Sequence, residues 1–212
     1  MERQIIKLCC AGNLEGAKEF LRLYSDINIS VENEQAFRYA CGNGHLEVAK
    51  WLLQMKPNIN ISANGDTAFR WACCYGHLEV AQWLLSVKPD INISADKDCV
   101  FRWACINGHL EVAKWLLSVK PDINISANGD TAFRWSCIYR HLEVTKWLQS
   151  LKPWLYVIKY DLDGFYAGYK IRTKEEIIWE QRKYTLHLAL QEKTNILYHL
   201  PKDIAKTVTL FV

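Results

Sequence analysis

Gly108-His109-Leu110-Glu111-Val112-Ala113-Lys114-Trp115-Leu116-Leu117 decides the fold, because it is one of four near-identical copies. It recurs as Gly44 to Leu53, as Gly76 to Leu85, and as Arg140 to Gln149. His45, His77, His109 and His141 therefore stand 32 residues apart, as do Phe37, Phe69, Phe101 and Phe133. A fixed period of this size is the mark of a repeat architecture. In the copy at 78–86, Leu78, Val80, Ala81, Trp83, Leu84 and Leu85 cover more than half of a helix turning about 100° per residue. Only Glu79, Gln82 and Ser86 point clearly away. One partner helix cannot bury so broad an apolar face, whereas stacked neighbours can.

The rest of each copy extends this unit. Asp66-Thr67 offers N-cap oxygens to a short helix through Ala68-Phe69-Arg70-Trp71-Ala72-Cys73. Gly76-His77 breaks that helix, the second helix follows, and Pro89 stops it. Ile91-Asn92-Ile93-Ser94 alternates apolar and polar, as an extended arm would. Asn64-Gly65 and Asn128-Gly129 mark a tight turn at the arm tip, filled by Glu32-Asn33 and Asp96-Lys97 elsewhere. The blocks are 32–63, 64–95, 96–127 and 128–153, with a degenerate copy over 1–31. Residues 154–212 lie outside the period.

These residues resemble the ankyrin-repeat family. Its T-P-L-H-x-A pattern appears as Thr67-Ala68-Phe69-Arg70-Trp71-Ala72, and its G-H-L-E-V-V-x-x-L-L as the opening stretch. The resemblance covers residues 1–153 and implies a mainly α solenoid of helix-turn-helix units with extended arms. The period is one residue shorter than the family's 33, most simply by a deletion in the arm. Arg38, Arg70, Arg102 and Arg134 replace the family's first-helix histidine. The aromatic style, with F-R-W-A-C and P-D-I-N-I-S, is similar to the expanded ankyrin families of giant DNA viruses.

Composition excludes several function classes. A net charge of +3 argues against a nucleic-acid or membrane-surface ligand. No apolar run approaches the roughly 20 residues that span a bilayer. Met1-Glu2-Arg3-Gln4, followed soon by Cys9-Cys10, does not read as a signal peptide. Cys9, Cys41, Cys73, Cys105 and Cys137 share one core-facing position, roughly 10 Å apart for packed helices, too far for disulfides. Cys10, Cys74 and Cys99 lie off that column. Reduced thiols place the chain in an intracellular, cytoplasmic setting, the host cytoplasm if it is viral. The histidines recur singly, without a second ligand at i+3 or i+4, so neither a metal site nor a Cys–His dyad is expected. No cofactor, small-molecule substrate or catalytic residue is expected either.

The Arg column has two readings. Asp66 precedes Arg70 by four residues, Asp98 precedes Arg102, Asp130 precedes Arg134, and Glu34 precedes Arg38, as intrahelical ion pairs would. A row of guanidinium groups facing an acidic partner is the other reading. The Trp columns, Trp51, Trp83, Trp115 and Trp147 on the second helix and Trp71, Trp103 and Trp135 on the first, suit packing between repeats, with partly exposed members as contact anchors.

The copies differ mainly at the tips and at the end of the first helix. In the ankyrin fold these regions line the concave groove, so the resemblance implies partner contacts at Asn33, Glu34, Gln35, Asn43, Asp66, Tyr75, Lys97, Asp98, Asn107 and Tyr139. The expected function is that of a monomeric, non-catalytic scaffold binding a protein partner. In the tail, Leu155-Tyr156-Val157-Ile158 and Phe165 to Ile171 flank Asp161-Leu162-Asp163-Gly164 as a hairpin. Its acidic series stops at Gly164, short of a calcium loop. Thr173-Lys174-Glu175-Glu176 is a capping box opening a helix to about Gln191, and a last amphipathic helix begins near Leu200. Such a segment can cap the array. Leu200-Pro201-Lys202-Asp203-Ile204 also resembles the opening of an F-box-like motif, which would make the chain an adaptor for ubiquitin-ligase machinery.

Overall fold

The computed structural model describes residues 1–153, 155–160 and 166–179. Ten helices run in pairs: α1 (Glu2–Cys10) with α2 (Leu14–Leu23), α3 (Val31–Gly42) with α4 (Leu46–Met55), and α5 (Ala63–Cys74) with α6 (Leu78–Val87). The last two pairs are α7 (Ala95–Ile106) with α8 (Leu110–Val119), and α9 (Ala127–Ile138) with α10 (Leu142–Leu151). First helices pack in series, α1 on α3, α3 on α5, α5 on α7 and α7 on α9, and each pack on their own second helix through α8. The chain divides into two compact units, Met1–Leu148 and Gln149–Val212.

The periodic apolar residues become the core of the first unit. Phe37, Phe69, Phe101 and Phe133 are buried with Leu52, Leu84, Leu116 and Leu148. Burying each such side chain contributes about 1.5–3 kcal/mol. The second-helix tryptophans make the joints. Trp83 lies 6.2 Å from Phe37 of the preceding repeat, Trp115 lies 6.2 Å from Phe69, and Trp147 lies 6.1 Å from Phe101, all tilted as aromatic pairs prefer. In the degenerate first copy the tryptophan position holds Glu19, which pairs with Arg22 at 2.8 Å.

The histidines are joint residues too. His45 Nε2 lies 3.1 Å from the Cys10 carbonyl, and His77 and His109 make the equivalent bond to the Gly42 and Cys74 backbones. Each ring sits on the glycine that ends the preceding first helix. A Cβ on Gly12, Gly44, Gly76 or Gly108 would fall 2.4–2.5 Å from the ring of His45, His77, His109 or His141, and these glycines have φ between +72° and +84°. The position is glycine because the next repeat's imidazole occupies the space. The rule breaks at Arg140 (φ +59°), and the next ladder position, 173, is threonine rather than histidine.

The tips depart from expectation. Within Ile91-Asn92-Ile93-Ser94 and its equivalents only the first two residues lack turn or helix geometry, so the extended arm is short. Three consecutive residues then adopt left-handed helical angles: Glu32-Asn33-Glu34, Asn64-Gly65-Asp66, Asp96-Lys97-Asp98 and Asn128-Gly129-Asp130, with φ between +50° and +70°. Gly, Asn and Asp tolerate this region, whereas Glu32, Glu34 and Lys97 do so at a cost. The first helix resumes right-handed at 35, 67, 99 and 131. Thr67 does not cap it. Its hydroxyl instead donates back to the Asn64 carbonyl at 2.5 Å, as Thr131 does to Asn128 at 2.6 Å.

In the second unit, β1 (Tyr156–Tyr160) pairs antiparallel with β2 (Tyr166–Ile171), Ile158 opposite Tyr169, with an irregularity at Lys159/Tyr160. Residues 174–179 are helical, in α11. The capping box is formed: Glu176 N–H donates to Thr173 Oγ1 at 3.2 Å, and Thr173 N–H donates to Glu176 Oε2 at 3.0 Å. The expected helix beyond 179, the calcium-loop residues 161–164 and the F-box-like stretch from Leu200 lie outside the described residues, so neither capping by that helix nor ligase recruitment has a structural account.

Candidate functional site

Among the described residues, a groove of about 590 Å³ lies between α5 and α7. Asn64, Thr67, Arg70, Trp71, Cys74, Tyr75, Trp103 and Asn107 line it. The aromatic residues of these first helices stay accessible. Tyr75 is 54% exposed, Tyr139 53%, Trp103 47% and Trp135 41%. Trp71 is held from one side by Tyr39, stacked at 5.5 Å, and by the Arg38 guanidinium 5.8 Å from its ring. Trp135 lies 5.4 Å from Tyr139. By contrast, the outer edges of the second helices carry i,i+3 ion pairs such as Glu47–Lys50 and Glu111–Lys114.

The arginine column is not an intrahelical ladder. Among the described residues no Asp66–Arg70, Asp98–Arg102 or Glu34–Arg38 ion pair forms. The left-handed tip places the acid outside the helix, where i,i+4 geometry does not apply. Instead Arg38 Nε and Nη2 donate to the Asn33 and Glu32 carbonyls at 2.7 and 2.9 Å. Arg102 does the same to Lys97 and Asp96 at 3.1 and 2.8 Å. Among the described residues Arg70 reaches only Asp96 of the next tip, at 3.9 Å. Arg134 makes no hydrogen bond or ion pair among the described residues.

The acids face the joints. Glu34 and Asp98 are buried. Glu34 accepts from Ser30 Oγ at 2.6 Å and the Asn60 N–H at 3.5 Å, and Asp98 accepts from the Asn124 N–H at 3.2 Å. These two carboxylates therefore hold the next repeat rather than the surface. Asp66 is half-buried, and its Oδ1 has no partner. Lys56 donates to Ser30, whereas Lys88 and Lys120 pair with Asp90 and Asp122. Asn58 stands where those aspartates do, so Lys56 turns to the serine.

The other predicted positions divide. Tyr75 and Asn107 share the groove. Asn33 and Lys97 are exposed at tips, and Tyr139 is exposed one repeat beyond Asn107. Gln35 donates to Tyr39 at 3.2 Å. Asn43 and Asn107 reach back to the carbonyls of Cys10 and Cys74, both at 2.8 Å. Asn64, Thr67 and Cys74 join the groove beyond the expected contacts, whereas Arg70, Trp71 and Trp103 enter it from the arginine and tryptophan columns. The alternation Gln35, Thr67, Cys99, Thr131 in the sequence is the signal that separates the arginines.

Six of the eight thiols are sealed in this setting. Cys9, Cys41, Cys73, Cys99, Cys105 and Cys137 are buried and all eight cysteines are free. Burial pushes the Cys9 thiol up to about 12 and raises those of Cys41, Cys73 and Cys105 far above the ordinary thiol range. Among the described residues no group of three or more His, Cys, Asp or Glu is placed to hold a metal, and no helix is long and apolar enough to cross a membrane.

Residues 5–95 match the family model described as "Ankyrin repeats (3 copies)", and residues 101–149 match "Ankyrin repeats (many copies)". Together they cover well over half of the chain. No curated protein matches the sequence. Among solved structures, the human ASB11 ankyrin repeat domain is similar in fold, with a TM-score of 0.53 and 21% identity over 70% of this chain and 68% of that one.

Proposed function

Because the chain belongs to the ankyrin-repeat family, whose members are generally protein–protein interaction modules, we propose that it is a non-catalytic scaffold. It binds a protein partner through the concave side formed by the tips and first helices. The observation that carries this reading is the row of accessible aromatic residues, Tyr75, Trp103, Trp135 and Tyr139, along the first helices. Large aromatics left half-exposed on rigid helices are the usual anchors of an interface. Asn33, Gln35, Asn43, Asp66, Lys97 and Asn107 supply the polar surround. The experiment compares affinity capture by the intact chain with capture by a Tyr75→Ala/Lys97→Ala/Tyr139→Ala variant of unchanged helical signal. Loss of the captured partner is expected. A partner retained at full yield contradicts the reading.

A further inference from the structure

The four full repeats are of two kinds, and the difference lies in what their arginines hold. In the first and third, the tips Glu32-Asn33-Glu34 and Asp96-Lys97-Asp98 contain no glycine. Their left-handed backbones are held by Arg38 and Arg102. The residue opening the helix is Gln35 or Cys99, which places no hydroxyl on the tip carbonyls. In the second and fourth, the tip is Asn-Gly-Asp, and Thr67 or Thr131 donates to the carbonyl of Asn64 or Asn128. Those carbonyls are the equivalents of Glu32 and Asp96, to which the pinned arginines donate. The threonine thus takes the place of the guanidinium. Arg70 is left with one long contact to Asp96, and Arg134 with none among the described residues. The end of the same helix alternates in step. Asn43 and Asn107 are tied to the preceding repeat, whereas Tyr75 and Tyr139 stand exposed in their place.

We propose that the second and fourth repeats present two equivalent anion-binding clusters, Arg70 with Trp71 and Tyr75 and Arg134 with Trp135 and Tyr139, that together recognise an extended acidic peptide segment. This rests on the concave-side reading above and names its partner chemistry. A guanidinium not engaged by its own backbone retains its fork of donors for a carboxylate. The flanking rings exclude water from that pair and cover the peptide backbone. The clusters are two repeats apart, roughly 20 Å at the usual helix spacing. An extended chain advances about 3.3 Å per residue, so the two acidic side chains stand about six residues apart.

The test uses the full chain and fluorescein-labelled peptides of neutral, extended sequence carrying two glutamates at varied spacing, read by fluorescence anisotropy. Binding is expected to peak with the glutamates about six residues apart. Arg70→Gln and Arg134→Gln should each weaken it about tenfold, and Arg102→Gln should not. Thr67→Val frees the Asn64 carbonyl to capture Arg70, so it should match Arg70→Gln while leaving the helical signal unchanged. Cys99→Thr should release Arg102, one repeat from Arg70, and favour glutamates about three residues apart. The proposal is overturned by equal losses at Arg102 and Arg70, by indifference to spacing, by no saturable binding up to millimolar peptide, or by tighter binding of a single-stranded oligonucleotide than of the diacidic peptide. If these results fail while Tyr75→Ala/Lys97→Ala/Tyr139→Ala still abolishes partner capture, the acidic-peptide assignment falls and the concave-side scaffold stands.

Discussion

Gly44, Gly76 and Gly108 are fixed by a neighbour rather than by their own turn. The imidazole of the next repeat fills the volume a Cβ would need, and the positive φ adds a second penalty. Gly129 has the same kind of φ but nothing within 4 Å of its Cβ position. Gly129→Ala should therefore cost about 1 kcal/mol from backbone strain alone. Gly76→Ala should cost about 3 kcal/mol, because His109 must also move. Urea denaturation of the two variants measures the difference, and equal losses would contradict the packing argument. The imidazoles carry a pH dependence. Burial first, and then neighbouring imidazoles, hold His77 and His109 below the usual histidine range. The unfolded chain then binds more protons at these sites than the folded one. Their contribution is present above about pH 6.5 and is lost as pH falls through the lowered folded values. Urea midpoints should decline from pH 7 to pH 5, and His109→Gln should flatten that decline.

At the scale of the element, the first helix carries a sealed face and an open one. The sealed face includes Cys41, Cys73 and Cys105, whose thiols are kept protonated by burial. Cys10 and Cys74 sit at helix ends, half-buried, each sulfur 3.2 Å from an asparagine amide. A thiol reagent at neutral pH should modify Cys10 and Cys74 on the native protein. The other six should react only on unfolding, as peptide mapping after brief labelling would show. Early modification of the Cys41 column would mean that the repeats open far more readily than their packing implies. The tips show how local chemistry and joint geometry meet. Left-handed angles at Asp98 turn its carboxylate toward the Asn124 N–H of the following repeat, so the acid carried by every tip serves here as a strut.

For the molecule as a whole, the 32-residue period made the helices, their pairing and the core legible in the sequence. The tryptophan columns could be read as packing between repeats, because a broad apolar face has to be shared between neighbours, whereas the histidine column read only as a turn and its seat on the neighbouring glycine is visible only in the fold. The tips could not be read in this way. Asp66-Thr67 looks like a helix cap, and Asp66 with Arg70 like an i,i+4 pair, only if the helix begins at the acid. Three left-handed residues move that beginning, and nothing in the spacing announces them. Variation between copies could not separate Tyr75, which lines the groove, from Glu34 and Asp98, which face the joints. The division into pinned and presenting repeats depends on hydrogen bonds that only the folded tip reveals. The ¹⁵N relaxation of the four arginine Nε–H groups in the free protein tests that division directly. Arg38 and Arg102 should be rigid and slow to exchange, and Arg70 and Arg134 mobile, with Thr67→Val moving Arg70 into the rigid class. Four arginines of equal mobility, or an Arg70 indifferent to residue 67, would contradict it.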